Sequence, residues 1–198
     1  MKHSLFIVLF ALLSSCSVDP VARPNGHMRI GLPAQNAYTE LPFEAPFKLQ
    51  INAEANAIKK DVLSDTNADE FWMDLAYPSI LSTIQFTYKP VTENLEELVR
   101  DAQQLAYKHT VKASGMREQF FAYPEEGVYG LYYEFSGASA TTTQFYATDS
   151  ASHFLRGVLY HYSTPNADSL APVTQFMRDE LLKMIGTLKW SESENGEN

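Results

Sequence analysis

The chain has 198 residues, 45% hydrophobic and 20% charged, which fits one globular domain behind a short leader and excludes wholesale disorder. Its formal net charge is −9 with a sequence pI near 5.0, and its Lys and Arg residues form no cluster. That balance excludes a nucleic-acid footprint and electrostatic docking onto anionic lipid, so any membrane attachment must come from something other than charge.

The leader supplies that attachment. Lys2 and His3 form a short polar start, residues 5–13 are an unbroken apolar run, and Ser14-Ser15-Cys16 follows. Such a run falls well short of the ~20 residues needed to cross a bilayer and reads as an export signal over 1–15. Leu13-Ser14-Ser15-Cys16 resembles the bacterial lipobox: small residues precede a thiol, and that thiol is the one side chain there nucleophilic enough to take a diacylglyceryl group. Cleavage between Ser15 and Cys16 would leave an acylated N-terminus. The alternative, a plain secretory signal, would leave the chain's single cysteine as a bare thiol in an oxidising compartment. Acyl chains of the palmitate type add about 0.8 kcal/mol per buried CH₂, so two or more of them anchor the protein stably. With no second cysteine, the domain holds no disulfide.

Residues 16–26 read as a lipidated tether, since SVDPVARPNG carries two prolines and an Asn-Gly pair. A single α+β domain is expected over 27–190. Residues 27–33 (HMRIGLP) predict a short edge strand stopped by Pro33, and 38–46 (YTELPFEAP) an irregular segment laid over the surface. Phe47, Leu49 and Ile51 alternate with Lys48 and Gln50, the pattern of a half-buried strand, and the polar text to residue 69 predicts loop and hairpin.

Strands are predicted at 71–77 and 80–89 with a Tyr77-Pro78-Ser79 turn between them. Phe71, Met73, Leu75 and Tyr77 share one face of the first, and Ile80, Ile84, Phe86 and Tyr88 one face of the second. Asn94 with Glu97 three residues on has the form of a capping box. The helix it would open carries Leu95, Leu98, Val99, Ala102, Leu105, Ala106 and His109 on one face, and Gly115 would close it. A further strand at 116–123 and a turn at 124–127 lead into three aromatic and β-branched runs, 128–135, 141–149 and 153–162, the pattern of an antiparallel meander. Leu170, Val173, Met177, Leu181, Met184, Ile185 and Leu188 then mark a second amphipathic helix with Pro172 in its first turn, its end pinned by Trp190. Residues 191–198 read as a disordered acidic tail.

Ordered blocks of this sequence resemble the gliding-motility lipoprotein GldD family. They are Asp101-Ala102-Gln103-Gln104-Leu105-Ala106-Tyr107-Lys108-His109, Val128-Tyr129-Gly130-Leu131-Tyr132-Tyr133-Glu134, Gln144-Phe145-Tyr146-Ala147-Thr148-Asp149-Ser150, His153-Phe154-Leu155-Arg156-Gly157 and the closing Thr187-Leu188-Lys189-Trp190. With the lipobox, the resemblance covers nearly all of the chain after the leader. It implies a membrane-anchored lipoprotein of the cell envelope, facing the periplasm, required for gliding where gliding is tied to type IX protein secretion. It also implies a partner such as the membrane protein GldE, and it supplies no catalytic residue. By layout alone the element order is similar to the PsbP/Mog1-like α/β/α sandwich: a curved antiparallel sheet with a mid-chain helix and a C-terminal helix.

The meander is also the densest patch of chemistry. His153 and His161 share a strand face but lie too far apart for one metal, and no H-x-H or i, i+4 pair is present, so neither a metal nor another cofactor is expected. No G-x-S-x-G elbow and no Gly-rich phosphate loop occurs. Two readings follow. The first is a non-catalytic component of the gliding machinery, contacting partners through Gly130, Glu134, Gln144, Asp149 and His153. The second is a small envelope hydrolase or ligand-binding lipoprotein using Glu134, Asp149 and His153, and it requires those three side chains to meet in one pocket.

Overall fold

The computed structural model describes residues 30–61, 69–137, 139, 141–163 and 167–191. Eleven strands and two helices are described: β1 (Tyr38–Thr39), β2 (Phe47–Lys48), β3 (Ile51–Asn52), β4 (Asn56–Lys60), β5 (Phe71–Tyr77), β6 (Ser82–Pro90), α1 (Leu95–Lys108), β7 (Gly115–Tyr123), β8 (Val128–Ser136), β9 (Thr141–Thr148), β10 (His153–His161), α2 (Ala167–Gly186) and β11 (Lys189–Trp190). Strands β4 to β10 form one antiparallel sheet in the order β4-β5-β6-β10-β9-β8-β7, so the expected α+β class is what is found. β10 lies at its centre, joining the β4-β5-β6 half to the meander.

Alternation along each strand sends residues to two cores. Met73, Leu75, Ile84, Phe86, Tyr132, Phe145, Leu155 and Leu159 pack beneath Val173, Phe176, Met177, Leu181 and Met184 of α2. Tyr133, Phe135, Tyr146 and Phe154 take the opposite face under Leu98, Ala102 and Ala106 of α1. The result is helix, sheet, helix, the layering the element order suggested. The α1 core is small, and the half of that face over β4 to β6 leaves Ile58 and Trp72 exposed.

Several local expectations are corrected. Residues 30–33 form no strand: Pro33 has no N–H to give a ladder, and Ala34 is instead held by side chains, its carbonyl by Asn52 Nδ2 at 2.9 Å and its N–H by Glu54 Oε1 at 2.9 Å. Phe47, Leu49 and Ile51 are all buried, yet the run breaks between β2, which pairs β11, and β3, which pairs β1, because the Gln50 N–H goes to Thr187 Oγ1 at the end of α2. Asn94 stands before α1 without capping it. Its Oδ1 accepts from the Thr92 N–H at 2.9 Å, so the capping box is not made. Gly115 opens β7, while α1 ends at Lys108 and runs into a 3-10 turn at His109–Val111. Pro172 falls inside α2, because the helix starts at Ala167, before the first apolar position of the stripe. The signal peptide, tether and acidic tail lie almost wholly outside the described residues.

Trp190 pins the end of α2 as expected. Its indole Nε1 donates to the Gly127 carbonyl at 3.0 Å and its ring stacks on His153 with centroids 5.0 Å apart.

Candidate functional site

The meander has two polar ends, and the sequence-selected residues divide between them. At one end the β9–β10 turn folds around Asp149, whose Oδ1 accepts the backbone N–H groups of Ala151, Ser152 and His153 at 2.8–2.9 Å. Burial pushes the Asp149 carboxyl up, but those three donors, with His153 beside it, hold it below its ordinary value. His153 Nδ1 meets Tyr88 Oη at 2.8 Å while its ring is sandwiched against Trp190. Burial lowers its pKa, with Asp149 partly opposing.

At the other end Glu134 lies between two guanidinium groups, 2.8 Å from Arg117 and 3.9 Å from Arg178. Tyr129 pairs Thr148 and Glu134 pairs Thr143, so five residues of β8 separate the two ends, roughly 16 Å at the ~3.3 Å rise of a strand residue. Glu134, Asp149 and His153 therefore share no pocket, and the catalytic constellation they were to form does not assemble. Among the described residues, no group of three or more His, Cys, Asp or Glu side chains is placed to hold a metal.

The five residues expected to contact partners lie on the interior strands β8, β9 and β10 or the β9–β10 turn, and not at either edge of the sheet. Gly130 is buried: a Cβ there would stand 2.0 Å from the Tyr146 carbonyl oxygen and 2.5 Å from the Phe121 ring, so its role is close strand packing. Gln144 is 1% exposed, its Oε1 taking the Arg156 guanidinium at 2.8 Å on the α1 side of the sheet. The edges belong to β4 and β7. β7 pairs β8 without a break over nine residues and carries Phe120, 65% exposed.

What lies beside Glu134 is a cleft of about 480 Å³ between the ends of β8, β9 and β10 and the stretch of α2 from Leu170 to Arg178. His161 forms its back wall. Its Nδ1 is 2.8 Å from Ser82 Oγ, and Ser82 Oγ donates its own proton to the Ile80 carbonyl, so Nδ1 carries the ring proton and Nε2 is an acceptor. Thr142 and Thr174 hydroxyls both approach Nε2, at 3.2 and 3.3 Å. Burial, then Arg178, lowers the His161 pKa and keeps the ring neutral near pH 7.

The family described as gliding motility lipoprotein GldD matches residues 17–190, beginning at the residue after Cys16. The chain belongs to that family. Comparison with curated proteins found no match. As a GldD-family lipoprotein it is a lipid-anchored protein of the cell envelope that serves gliding motility. No helix among the described residues is long and apolar enough to cross a membrane.

Two features of this GldD-family chain escaped the sequence reading. Glu180 is 1% exposed and its carboxylate gathers Tyr38 Oη at 2.9 Å, Gln35 Nε2 at 3.1 Å and Tyr77 Oη at 3.2 Å, fastening the N-terminal strap to α2. Burial and the Glu180 bond push the Tyr38 hydroxyl up to about 12. The available signal was a Glu on the apolar stripe between Met177 and Met184. Arg178, the cleft's cation, carried no comparable signal, because nothing local sets it apart from a solvated helix arginine.

Proposed function

We propose that the protein works as a non-catalytic, lipid-tethered component of the gliding machinery, coupled to type IX secretion. Cys16 holds the lipid, residues 16–26 form the tether, and the domain of 27–190 faces the periplasm and engages a membrane protein of the GldE kind. The observation that carries this reading is the family match over residues 17–190. The strand-length separation of Glu134 from Asp149 and His153 supports the non-catalytic part, since it removes the one constellation of the meander with a plausible reaction.

Two measurements test it in gliding cells. Cys16→Ala should move the protein from the membrane to the soluble fraction and abolish spreading; a variant that stays on the membrane shows that the lipid is not the anchor. Crosslinking of the wild-type protein in membranes should capture an integral membrane protein of the gliding apparatus, and recovery of the lipoprotein alone would defeat the assembly role.

A further inference from the structure

Three observations converge on the cleft beside Glu134. The first is an under-satisfied cation. Arg178 reaches Phe135 O at 3.3 Å, Thr142 O at 3.4 Å, Thr143 Oγ1 at 3.5 Å and Glu134 Oε2 at 3.9 Å, every one longer than a well-formed N–H···O bond of about 2.7–3.2 Å. Glu134 is committed at 2.8 Å to Arg117, so two guanidiniums share one carboxylate and the cluster keeps one positive charge.

The second is spare donors. His161 Nε2 has one lone pair and two threonine hydroxyls beside it, so one of Thr142 and Thr174 keeps a proton to give. Ser139 lines the same cleft, and its buried Oγ has no hydrogen-bond partner among the described residues. A buried hydroxyl without a partner is costly enough to be uncommon, and an acceptor in the cleft would satisfy it.

The third is shape. The opening is walled by Phe135, Tyr160, Tyr162 and Leu170, and its volume of about 480 Å³ lies within the ~300–1,000 Å³ usual for small-ligand sites. We infer that this cleft binds a small organic carboxylate with an apolar body, its head group taken by Arg178 and the threonine and serine hydroxyls, its body lying against the aromatic wall.

The test uses the full lipidated chain in nanodiscs, with empty nanodiscs subtracted for partitioning, and titrates 4-phenylbutyrate against its uncharged amide. The acid should bind at least 10-fold more tightly than the amide. Arg178→Gln should erase that preference, whereas Glu134→Gln, which removes the carboxylate competing for Arg178, should tighten acid binding several-fold. Because Arg178→Gln also disturbs sheet contacts, Ala171→Trp provides a second check: it fills the mouth from an exposed helix position and should abolish binding with the thermal midpoint unchanged. Equal binding of acid and amide, binding that survives Ala171→Trp, or no binding of the acid up to millimolar concentration would each overturn the inference.

Discussion

The two ends of the meander are built from the same residue types, a carboxylate, a histidine and neighbouring hydroxyls, and they come out as opposites. At the Asp149 end each group has a close local partner: three backbone N–H groups on one oxygen, a tyrosine on one histidine nitrogen and an indole over the ring. At the Glu134 end the contacts of Arg178 are long, two hydroxyls compete for one nitrogen and a cavity remains. Composition does not separate a structural lock from a binding site; the surplus of unmatched donors does.

If that contrast is right, substitutions at the locked end should be felt in stability far more than those at the open end. The largest effect is expected from Gly130→Ala, at the third residue of β8 and three positions after Gly127. The added Cβ meets a backbone carbonyl at 2.0 Å, so no side-chain rotation relieves it and β8 must part from β9. A loss of about 3 kcal/mol or more is expected, read as a fall in the denaturant midpoint. Asp149→Ala comes next, at about 2 kcal/mol, because three N–H groups lose their acceptor and only partly regain one from water. A loss under half of that would mean the turn is held by its backbone alone.

Much of the fold can be read from the chain because the information is local. Alternation from Tyr129 to Phe135 places the two cores on their correct faces, and the stripe of Leu98, Ala102 and Ala106 chooses which side of α1 is buried. What the chain does not reveal is long-range. The insertion of β10 against β6 is a pairing over some seventy residues, and it alone makes the meander central. Gln144 reads as a surface residue until Arg156 arrives twelve positions later as its partner. The candidate site failed for the same reason: Glu134 and Asp149 are close in sequence, yet an antiparallel hairpin sends them to opposite ends of the sheet.

A smaller effect, with its own pH signature, comes from the titrating groups of both ends. His153 and His161 are each lowered from the ordinary 6.5, chiefly by burial, so the unfolded chain binds their protons first. Stability is full above about pH 6.5 and falls as pH drops below it, by at most about 1.4 kcal/mol per pH unit for each histidine. Asp149 is lowered from 3.8, so its stabilisation is present above that value and is lost in a separate, more acidic step. Asp149→Asn should delete the acid step and keep the histidine step below pH 6.5. A single merged transition would show that the locked end does not unfold with the domain.

The finest discrimination removes one hydroxyl from each histidine. Tyr88→Phe takes away the one side chain among the described residues that is hydrogen-bonded to His153 Nδ1, and it should cost about 1 kcal/mol, since a half-buried ring nitrogen is left without its close partner. Thr174→Val removes a hydroxyl from His161 Nε2 at nearly the same geometry, but Thr142 stands 3.2 Å away and takes over the whole lone pair. The change should then lie within about 0.5 kcal/mol of zero, as for substitutions that break no required contact. Equal costs for the two variants would mean that His161 needs both hydroxyls. In that case the open end has no proton to spare for a ligand, and the two ends of the meander are locks of the same kind.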